Sequence, residues 1–515
     1  MANIKMVNRS VFCLLCAVLL LSGCKDGNTS IADEPSNKVS VRAQAPAMRA
    51  VGNASNPVQT TFLPGDKMGL FAVRNGAVMT SVNNLCLTRT ENGLWQSDTD
   101  IFYADSTREA AFYAYFPYDA AVSFDPASSE PFAAYIQAFQ PAADQSAESA
   151  FHTSDLMTSA AGQLTPQATL DIVLQHRMAL VCVELPSIRY VFSNDGLAPY
   201  VQWTASSVAF QTGATNIKAL YDATELSYRF ITKPASVSQL DITYTNRSSE
   251  TKHASITNIS AIPAGQFAYY TVDNGKTDIN TTLHIGDFFM KDGSLITKED
   301  APNAADVLGI VCQIGTTDSI AASNPSCTHA LVLAPDETKA KWSTKSSTTS
   351  DENNAGWKTW WTAFGLADLG TTKADEIDQT TLTPVGYEYT RAWLAVPIDL
   401  TIGGYTVPVK DGFQAYYDTY VAAHPLPNAT TIWFVPSLRE WLSIKASESD
   451  IATSLTQVSA APFAWTSGST VYYWSSNLRA STSMWTFTGK DSSSSADLFH
   501  ADTKDSRIYR LIFAF

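Results

Sequence analysis

The chain has 515 residues, a formal net charge of −15, 45% hydrophobic residues and only 16% charged ones. That length fits about three domains, and the apolar fraction is ample for their cores. An acidic, sparsely charged surface repels phosphate backbones, so nucleic acid is excluded as an expected partner.

The first element is the apolar run 11–21, which follows Lys5 and Arg9. It is too short to cross a bilayer, which takes about 20 apolar residues. Its order, positive then apolar, is that of a secretory signal. Leu21-Ser22-Gly23-Cys24 resembles the lipobox of bacterial lipoproteins. The resemblance implies a signal peptide over 1–23 and a lipidated Cys24 that ties the mature chain to a membrane. Each acyl CH₂ buried there contributes about 0.8 kcal/mol. Lys25-Asp26 is similar to the surface-export signal of some Bacteroidetes lipoproteins. No later stretch approaches the 18 apolar residues of a membrane span.

Residues 24–56 read as a lipidated leader and flexible tether, polar and rich in Ala, Pro, Asn and Ser. Two Arg-Ala bonds lie within it, after Arg42 and after Arg49. Exposed segments are where proteolysis concentrates.

From residue 57 the pattern turns to short β-prone runs. "KMGLFAV" follows the turn signal "PGD", and "AAFYAYFPY" (110–118) is aromatic. "TLDIVLQHRMALVCVELPSI" (169–188) is a longer β-rich stretch, and turn residues separate these runs. This pattern predicts a β-sandwich over 57–187. A second β-rich block, 188–277, alternates in period two in "YVQWTASSVAFQT" and "QLDITYTN". Composition then shifts, for ten of the twelve Trp fall between Trp342 and Trp485. Residues 278–515 therefore read as a third, α+β module. "GFQAYYDTYVAAHP" (412–425) has helical periodicity with a Pro stop. "PSLREWLSIKA" (436–446) sets Ser437 as N-cap with Glu440 at capping-box spacing. "YRLIFAF" closes the chain as an apolar strand buried in its own module.

No arrangement of reactive groups stands out. The sequence lacks GxSxG, HExxH and any Gly-rich phosphate loop. His176, in an apolar strand, reads as a structural histidine, because no Ser or Cys partner can be nominated. Asp155, in "FHTSDLM", reads as a turn residue. The acidic segments 298–306 and 373–378 lack calcium-loop spacing and read as solvated loops. No clustered metal ligands are visible, so neither metal nor cofactor is expected. Cys312 and Cys327 are either a disulfide or two buried thiols. Trp474 and Asn477, in "YYWSSN", are the candidate ligand face, since Trp stacks well on sugar rings. The alternative is that the Trp cluster fills a core.

Several motifs in order carry a family resemblance. "FLPGDKMGLFAV", Trp95, "FYAYFPY", "DQS", "TSDLMTS" and "LQHRMALVCVEL" resemble the fimbrillin-like (Mfa-like) lipoproteins of Bacteroidetes. That implies two transthyretin-like β-sandwich domains in a mainly β protein. It also implies a subunit of a cell-surface pilus that joins its neighbours by donor-strand addition. In the family, cutting after an Arg removes the lipidated leader with its first strand; Arg49 fits this role and Arg42 is the alternative. "HIGDFFMKDGSL", "LGIVCQIG", "CTHALVLA", "GYEYTRAWL", "WFVPSLREW", "YYWSSN" and "RLIFAF" resemble Fibrobacter-major-domain modules of C-type-lectin-like architecture. Formylglycine-generating enzymes share that fold but need a late Cys pair, and this chain has no Cys after Cys327. The Glu-Pro-Asn sugar motif of calcium-dependent lectins is also missing from the module. The expected role is a non-enzymatic tip subunit and adhesin. It would begin as an outer-membrane lipoprotein, then face a ligand on a host or bacterial surface, glycans being one class. A membrane-anchor subunit and a glycan-binding surface lipoprotein are the alternatives.

Overall fold

The computed structural model describes residues 38–50, 61–344, 366–367, 369, 377–402, 405–408, 410–467, 471–480, 483–489 and 498–515. Cys24 lies outside these residues. The fold is mainly β, 37% strand and 18% helix. The chain divides into two units.

The first unit comprises residues 38–46, 61–137 and 158–175 among those described. Among the described residues the first nine strands are β1 (Ser40–Gln44), β2 (Arg49–Ala50), β3 (Lys67–Arg74), β4 (Ala77–Val78), β5 (Leu85–Arg89), β6 (Trp95–Gln96), β7 (Ala111–Phe116), β8 (Met157–Ser159) and β9 (Thr169–His176). All but β2 form one sheet, in the order β4-β3-β5-β6-β1-β9-β8-β7. A further pairing, Gly69↔Tyr115 through Val73↔Ala111, joins β3 to β7. The hydrogen-bonded order therefore runs continuously around the domain. β9 alternates buried and open positions, as a strand with one face on the core must. Gly69 is required where β3 meets β7, for a Cβ there would stand 2.1 Å from the Tyr115 ring.

The second unit comprises 47–50, 138–157 and 176 onward. Two of its sheets enclose one core. Ala179, Val181 and Val183 of strand Ala179–Glu184 pack with Phe210, Leu240 and Ile242 of the four-stranded sheet. Strand Gln266–Thr271 pairs with β2 through Gln266↔Arg49 and Phe267↔Ala50. The expected domain boundaries at 187/188 and 277/278 both fall inside strands. Ser187–Phe192 and Lys276–Thr281 run parallel, paired from Ser187↔Lys276 to Phe192↔Thr281. Residues 138–157 also group with the second unit rather than the first. Composition marks changes along the chain, whereas domains are set by long-range pairing that composition does not encode.

In the C-terminal part, Val307–Ile314 and Ala330–Leu333 are central strands of one five-stranded sheet. Tyr473–Ala480 and Ser483–Phe487 belong to a second. Helices Gly386–Ala395, Asp411–Ala423, Leu438–Ala446 and Glu448–Gln457 accompany them. The capping box forms as the sequence predicts: the Ser437 amide donates to Glu440 Oε2 at 2.6 Å, and the Glu440 amide to Ser437 Oγ at 3.4 Å. One aromatic cluster joins Tyr190 of strand Ser187–Phe192 and Tyr200 of strand Tyr200–Thr204 to Trp342, Trp433, Phe513 and Phe515. Residues 188–204 therefore share a core with the C-terminal part.

Candidate functional site

The leader is where sequence and structure differ most. Residues 40–44 and 49–50, expected to be flexible tether, are strands. The sequence explains β1 once it is looked at in period two. In V-S-V-R, valines alternate with polar residues, and Val39 and Val41 are 6% and 2% exposed while Arg42 is exposed. A five-residue strand flanked by polar chain gives too short a signal to stand out from its surroundings.

β1 lies between two unequal neighbours. On one side it runs parallel to β9 over five residue pairs, Ser40↔Thr169 to Gln44↔Val173. On the other it meets β6 at a single pair, Val41↔Trp95. The Val39 amide donates to the Ile101 carbonyl at 2.7 Å, and the Ser40 amide to the Ala168 carbonyl at 2.9 Å. Trp95, 2% exposed, meets Phe62 edge-on at 5.3 Å, and Phe62 meets Phe116 in the same way at 5.2 Å. A cavity of about 320 Å³ lies beside β1, lined by Val39, Val41, Leu87, Leu94, Trp95 and Ile101 among others. β1 thus fills an apolar slot that it grips firmly along one edge only. The Lys38–Asp100 ion pair, 2.6 Å, sits at the exposed mouth, where such pairs contribute little.

The two Arg-Ala bonds differ in backbone setting. Arg42↔Asp171 and Ala43↔Ile172 are interior pairs of the β1–β9 ladder. Arg49 and Ala50 make two pairs at the margin of a sheet, with a strand on one side only. Neither bond lies in the unpaired tether that the composition suggests.

Trp474 and Asn477 do not form a ligand face. Trp474 is 0% exposed and Asn477 2%. The Trp474 indole donates to the Ala340 carbonyl at 3.0 Å, and its own carbonyl accepts from the Trp441 indole at 3.0 Å. Asn477 Oδ1 accepts the Leu438 amide at 2.7 Å, satisfying a donor at the start of helix Leu438–Ala446. Every described Trp of this part of the chain is buried, from Trp342 to Trp485. The core reading of the Trp cluster therefore wins.

The fimbrillin-type motifs have a physical basis around 144–176. Gln145 docks on a strand edge: Ile231 N–H donates to its Oε1 at 2.7 Å, and its Nε2 donates to the Ile231 carbonyl at 2.8 Å. His176 Nδ1 stands 2.8 Å from Asp155 Oδ2, with both side chains buried. Asp155 is therefore more than a turn residue; it is the buried partner of a structural histidine. Among the described residues no three His, Cys, Asp or Glu side chains are placed as metal ligands would be. Cys312 and Cys327 are free thiols, not a disulfide. Cys312 Sγ donates to the Leu331 carbonyl, and burial pushes its ionisation far up.

The strand Ile512–Ala514 is paired with Ala330–Leu333, from Leu331↔Ala514 to Leu333↔Ile512. Residues 510–515 are all buried, and the Phe515 carbonyl accepts the His329 amide at 2.8 Å. Arg510 anchors this segment from within, donating to the Pro335 and Ala461 carbonyls at 2.7 and 2.6 Å. As predicted, this strand is built into its own module.

Residues 49–288 match the family described as fimbrillin-like. A Bacteroides ovatus protein named "Putative fimbrium tip subunit Fim1C" is 30% identical over 497 residues, covering 88% of this chain and 89% of that one. The crystal structure of a fimbrial protein from the same species superposes with a TM-score of 0.60 at 25% identity, over 93% of this chain and all of that one. With that extent of identity, the chain belongs to the fimbrillin-like family.

Proposed function

We propose that this protein is the tip subunit of a cell-surface fimbrium and acts there as a non-enzymatic adhesin. The observation that carries the assembly mechanism is β1, a leader strand seated in an apolar slot between β6 and β9. Cleavage after Arg49 frees both β1 and the edge pairing of β2. The slot of Trp95, Leu87 and Leu94 then lies open to a strand of the next subunit, which restores backbone hydrogen bonds across the interface. Until then β1 covers an edge that would otherwise recruit other chains. The edge position of Arg49 favours it over Arg42 as the cut site, because two pairs along one side of a sheet margin release a segment to a protease more readily than the interior of a five-pair ladder.

Strand Ile512–Ala514 is already paired inside its own module, so it is not available to fill a neighbour's slot. A subunit that accepts through its first unit and withholds this strand belongs at the distal end. The name of the Bacteroides ovatus relative supports the same position. Before cleavage the precursor is held at the outer membrane through lipidated Cys24, a reading that rests on the Leu21–Cys24 motif. The C-terminal module, read as lectin-like, faces outward.

The test is the N-terminus of the subunit in purified fimbriae, together with immunogold position. Ala50 at the N-terminus and label at fibre ends are expected. Arg49→Ala should leave an uncleaved lipoprotein outside the fibres. Acylated Cys24 in assembled fibres, or label spread along the shaft, would overturn the assignment.

A further inference from the structure

Trp474 and Asn477 being buried, the outward module needs another place to hold a ligand. One cleft in its fold has the chemistry. It opens between helix Leu438–Ala446 and the end of strand Val307–Ile314, with a volume of about 680 Å³, well within the size range of small-molecule sites.

The helix side of the cleft carries Arg439, Ser443, Ala446 and Ser447. Ser443 lies four residues after Arg439 and three before Ala446, which puts these three on one helix face, and Ser447 follows at the helix C-cap. Three of the four are small, and that keeps the cleft open. The opposite wall carries Gln313, Thr316, Thr317 and Asp318, and Ile285, Ile314 and Pro384 supply apolar surface.

What distinguishes the cleft is which of its polar groups are already engaged. Thr316 donates to the Cys327 carbonyl at 2.8 Å, Thr317 accepts the Ile320 amide at 3.1 Å, and Ser443 donates to the Arg439 carbonyl at 3.3 Å. The Arg439 guanidinium, the Asp318 carboxylate, the Gln313 amide and the Ser447 hydroxyl make no hydrogen bond or ion pair with any described residue. They are a donor-only fork, an acceptor-only group and two groups that do both. One positive and one negative charge cancel, so the cleft does not select a simple anion or cation. Donors and acceptors together beside a small apolar surface match a ring bearing adjacent hydroxyls, each of which donates and accepts.

The geometry points to this cleft as a binding site for a neutral saccharide. The inference rests on the reading of the C-terminal module as the adhesive part of a tip subunit. Among the described residues no aromatic ring lines the cleft, so recognition is by hydrogen bonds rather than by stacking, and single-site affinity is weak.

The test uses the full chain on an array of neutral, sialylated and sulfated oligosaccharides. Saturation-transfer NMR with the best neutral hit then measures affinity. Binding to at least one neutral glycan is expected. Arg439→Ala and Asp318→Ala should each weaken it about tenfold, the loss of one charge-assisted hydrogen bond. Ala446→Phe, which fills the cleft from an exposed helix position, should abolish it. Circular dichroism and melting of all three variants should match the parent. Binding confined to sialylated or sulfated glycans, no glycan bound at all, or neutral-glycan binding unchanged in the three variants would each overturn the inference. Fibre incorporation and immunogold position of the same variants report separately on the tip assignment, which stands or falls independently of them.

Discussion

Trypsin offers a direct measure of how firmly β1 is held, because it cuts after both Arg42 and Arg49. Cutting at Arg42 requires β1 to leave the slot. Val39 and Val41, 6% and 2% exposed, must then be transferred to water. At about 2 kcal/mol per buried valine this costs about 4 kcal/mol, before the five-pair ladder to β9 is counted. When opening is rapid relative to cutting, rate follows the open population. The Arg42 bond should therefore be protected roughly a thousandfold relative to an unpaired peptide, and Arg49 should be cut first. Val41→Ala deletes two buried methyl groups and leaves a small cavity against Trp95. The loss is about 2 kcal/mol, or a ~30-fold faster cut at Arg42. The assay is timed digestion of the native precursor, with mass spectrometry of the new N-termini, Ala43 against Ala50. Cutting at Arg42 before Arg49 in the parent, or an Arg42 rate unchanged by Val41→Ala, would refute the picture of a seated strand.

Glu440 is 1% exposed, and burial raises its carboxyl from 4.5 to about 7. The folded state then holds a proton that the unfolded state has lost between those values, so stability falls as pH rises through that window. The shift corresponds to roughly 3 kcal/mol; urea unfolding at pH 5 and 8 should show it, and Glu440→Gln, which retains an acceptor for the Ser437 amide, should flatten the profile. Trp474→Ala should cost about 3–5 kcal/mol in unfolding free energy, as a core truncation; a variant with parental stability that loses only ligand binding would restore the ligand-face reading. Asp155→Ala leaves His176 buried without this carboxylate and should cost about 1–3 kcal/mol, measurable as a lowered denaturation midpoint, whereas an unchanged midpoint would show that the pair contributes nothing to the fold.

Local chemistry was legible in the sequence wherever one short segment decides the outcome. Ser437 and Glu440 cap a helix because both partners sit within four residues. The apolar run at 511–515 announced a buried strand because hydrophobicity on every residue leaves it no open face. The fimbrillin-type motifs were visible as a series, although the contact between Asp155 and His176 that ties two of them together was not. Three things were decided by tertiary structure alone. β1 looked like tether because five residues of alternation are a weak signal; its identity as a strand comes from β9, more than 120 positions away. The strands Ser187–Phe192 and Lys276–Thr281 straddle the boundaries that composition suggests, because parallel pairing joins segments that are distant in sequence. Trp474 and Asn477 had the residue types of a ligand face, but residue type does not say which side of a strand faces water. That is set by what packs against the strand, and here the aromatic core closes over Trp474 while Asn477 meets the start of helix Leu438–Ala446.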